Sequence, residues 1–135
     1  MEIMEPPVNK PSVYVRLPEM RAEVISAVRA LSDPEHQQRV WVERKYPRPG
    51  YFEDLTLNVN ILDDAGVLDN PHAAIGYTLA SEDEAQSMVR LGACLDAALS
   101  GTGRDAPDET ILASPLWGKV VMAAHNALES LTRQK

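Results

Sequence analysis

The chain has 135 residues, 44% of them apolar and 24% charged, with a formal net charge of −7. That size suits one domain burying roughly two-thirds of its unfolded surface, and the composition excludes a wholly disordered chain. The single cysteine, Cys94, excludes an internal disulfide and fits a reducing cytoplasm, and no apolar run approaches the ~20 residues of a membrane helix.

Residues 1–11, MEIMEPPVNKP, read as a loose N-terminal arm, rich in proline and without periodicity. The arm lacks the basic start and apolar centre of a signal peptide, so export is not expected. Residues 12–135 read as one globular domain. The first helix is predicted over 18–31, where Pro18 suits the first turn and Met20, Val24, Val28 and Leu31 share a face. It should stop before Asp33-Pro34, and Ser32 or Asp33 then caps a second short helix. The segment 39–51, RVWVERKYPRPGY, finishes that helix or forms a short strand before its prolines and Gly50 force a turn. A short strand pair at 12–17 and 39–45 is one expectation for it.

Residues 55–61 fit two patterns. Leu55, Leu57, Val59 and Ile61 alternate with polar residues as in a strand, while Phe52, Leu55, Val59 and Leu62 share a helical face. Asn58 and Asn60 weaken the strand, since asparagine is depleted there. Further on, Ser81-Glu82-Asp83-Glu84 has the spacing of a capping box, and Met88, Leu91, Leu95 and Leu99 follow on one face until Gly101-Thr102-Gly103. In the last helix Ser114 is the expected cap, Pro115 comes first, and Trp117, Val121, Ala124, Leu128 and Leu131 form the expected stripe.

Charge is uneven along the chain. Residues 1–50 carry eight Lys/Arg against seven Asp/Glu, whereas residues 53–109 carry twelve acids and only Arg90 and Arg104 as bases. A field of that sign disfavours nucleic acid and anionic membranes and favours a basic protein partner. Arg39, Arg44, Lys45 and Arg48 run against it, interleaved with Trp41, Tyr46 and Tyr51. These bases are expected to pair with acids of the second half while the aromatics wall the core.

The candidate partner-binding residues are two acidic pairs, Glu53–Asp54 and Asp63–Asp64. Asp54 and Asp64 would stand roughly 15 Å apart on a helix or about 33 Å apart on a strand. Metal ligands must converge at bonds of about 2.0–2.6 Å, so the pairs are not one metal site. Glu53 and Asp54 favour a helix N-terminus, whereas Asp63 and Asp64 sit at the end that disfavours acids, where they cap the next turn or serve a cationic partner. His125 and Glu129 stand four apart without a third ligand, and Cys94 edges an apolar stripe as a structural thiol does. Neither a phosphate loop nor a serine elbow is present, so no catalytic residue, cofactor or metal is assigned.

The order DL…ILDD, IGYTL-ASEDEA, LGACLDAAL and ASPLWGKVVMAAHNAL resembles a family of small acidic actinobacterial proteins of unknown function. More distantly it resembles bacterial toxin-immunity proteins. The likeness spans about residues 18–131 and rests on Asp54, Asp63, Asp64, Ile75, Gly76, Ser81, Glu84, Leu95, Asp96, Pro115, Trp117 and Val121. It implies a helix over 52–64 and an immunity-type role. The resulting expectation is a mostly α single domain of four or five packed helices, cytoplasmic and non-enzymatic, that offers an acidic surface to a basic protein. The alternative is a small ligand-binding domain or enzyme whose pocket gathers Arg44, Tyr46, Tyr51 or His72 near segment 39–51.

Overall fold

Pro18 opens α1 (Pro18–Leu31), where its missing N–H costs nothing, and Val24, Ala27, Val28 and Leu31 turn into the core. The computed structural model that shows this describes residues 15–133. The arm at 1–11 and residues 12–14 of the expected strand lie outside the described residues. Asp33 then caps α2 (Pro34–His36) by accepting a hydrogen bond from the His36 amide at 3.2 Å.

α2 does not give way to a strand. It runs on as a π-helical stretch, Gln37–Val42, so the strand expected at 39–45 is corrected to helix followed by loop. The wider i→i+5 turn, seen in the bond from the Glu43 amide to the Gln38 carbonyl, lets Gln37, Val40 and Trp41 all face inward. Buried Gln37 donates to the Ala30 and Leu31 carbonyls at 2.8 and 2.9 Å and accepts from Trp117 Nε1 at 3.0 Å. It thereby satisfies carbonyls that the end of α1 leaves open. Arg44 follows with φ of +58°, a left-handed conformation unusual for a residue with a side chain.

The ambiguous stretch is α3 (Leu55–Asp64). Asp54 fixes its start by accepting from the Leu57 amide at 2.8 Å. The inward face is Leu55, Asn58 and Leu62, with Val59 and Ile61 half-buried, while Leu57 and Phe52 stay exposed. Asparagine is tolerated in the core because its amide donates to the Glu53 carboxylate and to the Asp54 carbonyl. Gly66, at φ of +77°, closes the helix.

After a 3₁₀ turn at Pro71–Ala74, Ser81 caps α4 (Glu82–Thr102), and Met88, Leu91, Leu95 and Leu99 are buried as their spacing predicts. The capping box is only half realised. Ser81 Oγ accepts from the Glu84 amide at 3.3 Å, but the Glu84 side chain takes the Ala80 amide and a buried bidentate pair with Arg21, both contacts at 2.8 Å. Arg21 also donates to the Thr78 and Leu131 carbonyls, so one guanidinium ties α1 to α4 and to the end of the last helix. A short α5 (Asp108–Leu112), absent from the sequence reading, precedes α6 (Trp117–Thr132). The buried stripe of α6 is Trp117, Val120, Ala124, Ala127 and Leu131. Val121 and Leu128, expected inside, are half-buried beside it, and Ser114 acts in the preceding turn by accepting from the Leu116 amide.

α4 packs on α6, α6 on α1, and α1 on α3, so four long helices enclose one core and the domain is mostly α. Among the described residues there is no strand, only an isolated bridge between Ile75 and Leu79. Residues 16 and 17 hydrogen-bond to Gly76 and Tyr77 rather than to segment 39–45. No helix among the described residues is long and apolar enough to cross a membrane.

Candidate functional site

The four singled-out carboxylates part company in three dimensions. Glu53 turns inward and is only 6% exposed. Its Oε2 accepts from Trp41 Nε1 at 2.8 Å, Asn58 Nδ2 at 2.9 Å and His36 Nε2 at 2.9 Å, and its Oε1 accepts from Tyr51 Oη at 2.6 Å. Burial pushes this carboxyl up, but the four hydrogen bonds outweigh burial and hold its pKa at about 2. Tyr51 is driven the other way, to about 12, chiefly by donating to Glu53 and further by its burial and the adjacent charge. A carboxylate so saturated is a poor base at neutral pH and cannot meet a partner's surface. It clasps the π-helical stretch, the loop after it and α3 together.

Asp54 is half-buried and occupied as the cap of α3. Asp108 joins it at that helix start by accepting from the Leu55 amide at 2.9 Å. Burial raises the Asp108 pKa, the Leu55 bond opposes that, and the Asp54 charge adds to it. With Trp41, Arg44, Tyr46 and Phe52 these two acids line a pocket of about 310 Å³. A second hollow of about 250 Å³, lined by Arg29, His36, Tyr51 and Glu53 among others, lies beside the clasp. Of the residues expected to line a pocket, Arg44, Tyr46, Tyr51 or His72, the first two share the 310 Å³ pocket, Tyr51 lines the second hollow, and His72 is exposed and bonded to Glu82.

The bases of segment 39–51 do not pair with second-half acids among the described residues. Lys45 meets its neighbour Glu43 at 3.1 Å, and the Arg48 guanidinium lies 5.1 Å over the Tyr51 ring. Trp41, Tyr46 and Tyr51 do pack against the core. His125 and Glu129 are both exposed, and Cys94 is half-buried at the core's edge. No group of three or more His, Cys, Asp or Glu converges among the described residues.

Asp63 and Asp64 lie at the far end of α3, both exposed. Neither side chain caps the turn, whose Ala65 and Gly66 amides go to the main-chain carbonyls of Ile61 and Asp63. Asp63 borders a groove of about 560 Å³ between α3 and α4. Its apolar lining is Val59, Leu68, Val89, Leu95 and Leu99, and its acids are Asp63, Asp69 and Asp96. Its one base, Arg104, is bonded to Asp96 at 2.7 Å. The charge asymmetry along the chain pointed to an acidic surface and not to a groove. The groove itself could not be read there, because Asp63, Leu68 and Asp96 belong to three separate elements.

A family model described as a domain of unknown function, DUF7945, matches residues 15–135. No curated protein and no solved structure matches the chain.

Proposed function

The chain belongs to the DUF7945 family, and we propose that it is a non-enzymatic binding protein that receives a basic protein partner at the acidic groove between α3 and α4. The observation that carries this reading is the pairing of an apolar lining with Asp63 and Asp69, the third acid, Asp96, being bonded to the groove's one base, Arg104. Buried apolar contact supplies affinity, and carboxylates at the rim speed encounter with a cationic surface and reject anionic ones. The resemblance to actinobacterial proteins and to toxin-immunity proteins, carried partly by Asp63 and Asp64, supports the same reading. A cytoplasmic setting goes with it, given the lone Cys94.

The test is capture of partners from a cell lysate by wild type and by a variant with Asp63→Asn and Asp64→Asn, at low salt and above ~0.15 M, where charges are screened beyond about 8 Å. The wild type should capture a basic protein at low salt that the variant loses, and salt should narrow the difference. Equal capture by both proteins at low salt rejects the acidic surface at this pair.

The second reading, a small-ligand site, is favoured by the 310 Å³ pocket where Arg44, Tyr46 and Phe52 face Asp54 and Asp108. It ranks below the first because both aspartates already hold α3 amides.

A further inference from the structure

We infer, resting on the binding reading above, that the partner segment seated in the groove is an amphipathic α-helix with an apolar stripe flanked by lysine or arginine. Folded domains take up peptide segments in a few recurring ways, and each needs its own receiving surface. Strand addition needs an open sheet edge, and no strand exists among the described residues. Polyproline recognition needs an aromatic-lined groove, and no aromatic side chain lines this one. Capture of a phosphorylated segment needs a cluster of free arginines, whereas Arg104 stands alone and is bonded to Asp96. A helix in a groove needs two walls and an apolar bed between them, and that is what α3 and α4 provide.

The walls also have the relief a helix requires. Val89, Gly92, Ala93 and Asp96 follow one another on one face of α4 at helical spacing, so the two smallest residues lie between a valine and a carboxylate. Gly92 is faced by Leu68 of this chain, whose Cδ2 and carbonyl would lie 3.8 Å from an added Cβ, so exposed Ala93 is the point where that wall is low enough for a guest backbone to approach. The groove's volume of about 560 Å³ falls inside the range of about 300–1,000 Å³ that pockets use to bury a compact ligand, so it suits a few large apolar anchors. Asp63 on the α3 wall, with Asp69 in the turn after it, places negative charge along one side of that bed, while Asp96 on the other side is balanced by Arg104. A guest helix therefore meets apolar groups along its centre and needs cationic groups on the flank that faces Asp63 and Asp69.

The experiment uses the full chain and three labelled synthetic peptides, with binding read by fluorescence anisotropy. One peptide has leucines at helical spacing among lysines, one has the same composition with the leucines scattered, and one keeps the leucine stripe with glutamates in place of lysines. The striped basic peptide should bind at least tenfold tighter than either control, and Ala93→Phe, which fills the groove, should weaken it at least tenfold. Amide NMR shifts in the wild type, independent of whether that variant folds, should concentrate at Val59, Asp63, Leu68, Gly92 and Asp96. Equal binding of scattered and striped basic peptides overturns the helix while leaving the acidic surface intact. Equal binding of striped acidic and basic peptides keeps the groove and overturns the acidic reading. No binding of either basic peptide, or shifts centred elsewhere, overturns both.

Discussion

Tyr51 donates its hydroxyl to Glu53 across 2.6 Å, and this bond lowers the pKa of the carboxyl while raising that of the phenol. Glu53 is held at about 2 against an ordinary 4.5, and Tyr51 at about 12 against an ordinary 10.0. The contact thus contributes to the pH dependence of stability at opposite ends of the scale, sharing the acid end with Trp41, His36 and Asn58.

The acid limb follows from the depressed carboxyl. Its contribution is fully present above pH 4.5, the unfolded value, and is lost as pH falls through about 2. A shift of that size corresponds to on the order of 3 kcal/mol, at about 1.4 kcal/mol for each unit. The raised phenol works in the opposite sense. Its contribution is present below pH 10.0 and is lost as pH rises through about 12. Urea midpoints between pH 7 and 2 and tyrosinate absorbance above pH 10 should show both limbs. Tyr51→Phe should abolish the alkaline limb and move the acid limb upward. An acid limb unmoved by Tyr51→Phe would show that this bond does not hold the carboxyl down.

Arg21 and Glu84 give a second prediction. Both are more than nine-tenths buried, and each has further partners in the carbonyls of Thr78 and Leu131 and the amide of Ala80. Arg21→Met alone leaves the Glu84 carboxylate without its cation, and Glu84→Met alone strands the guanidinium. Either should cost about 3–5 kcal/mol, the range for breaking a buried pair from one side. The double substitution removes both charges and should recover most of that loss, short of full recovery because the Ala80 amide stays unpaired. Chemical denaturation of the four proteins gives the cycle. Additive losses would mean that the two side chains stabilise the fold independently.

These two networks mark the boundary of what the sequence shows. α1 and α4 were legible because Pro18, Asp33, Ser81 and Gly103 act within a turn of their own positions, and their apolar residues recur at helical spacing. α3 was half legible, since its leucines, valine and isoleucine fit a strand and a helix equally until Asp54 is seen to cap it. Segment 37–42 was half legible as well, since finishing the second helix was one of its two readings, but polar Gln37 on the buried face left Val40 and Trp41 without an apolar stripe to decide it. Inward-facing charge was hidden for a different reason. Glu53 draws its donors from residues 36, 41, 51 and 58, and Arg21 finds Glu84 sixty-three residues away, so neither leaves a local signature. Of the candidate site, Asp63 and Asp64 were visible as a misplaced acidic pair. The groove beside them arises only when α4 brings Gly92 and Asp96 alongside.

The acids at the two ends of α3 should respond to substitution with opposite signs. Asp54 stands at the N-terminus, accepts the Leu57 amide at 2.8 Å, and meets the positive end of the helix dipole. Asp54→Ala should therefore cost about 0.5–2 kcal/mol, and Asp54→Asn should restore most of it, because asparagine caps about as well. Asp63 and Asp64 stand at the negative end and cap nothing, the closing amides being met by main-chain carbonyls. Changing both to Asn should leave stability unaltered or raise it by up to about 1 kcal/mol, since two unfavourable charges leave that end. Thermal melts of the three variants at low salt decide the matter. A loss above roughly 0.5 kcal/mol on changing Asp63 and Asp64 would exceed what surface substitutions usually do. The pair would then have a structural role, and their energetic disadvantage would no longer argue for a cationic partner at the groove. A neutral or stabilising change keeps that argument, because the fold then has no use for the charge that Asp63 displays at the groove's rim.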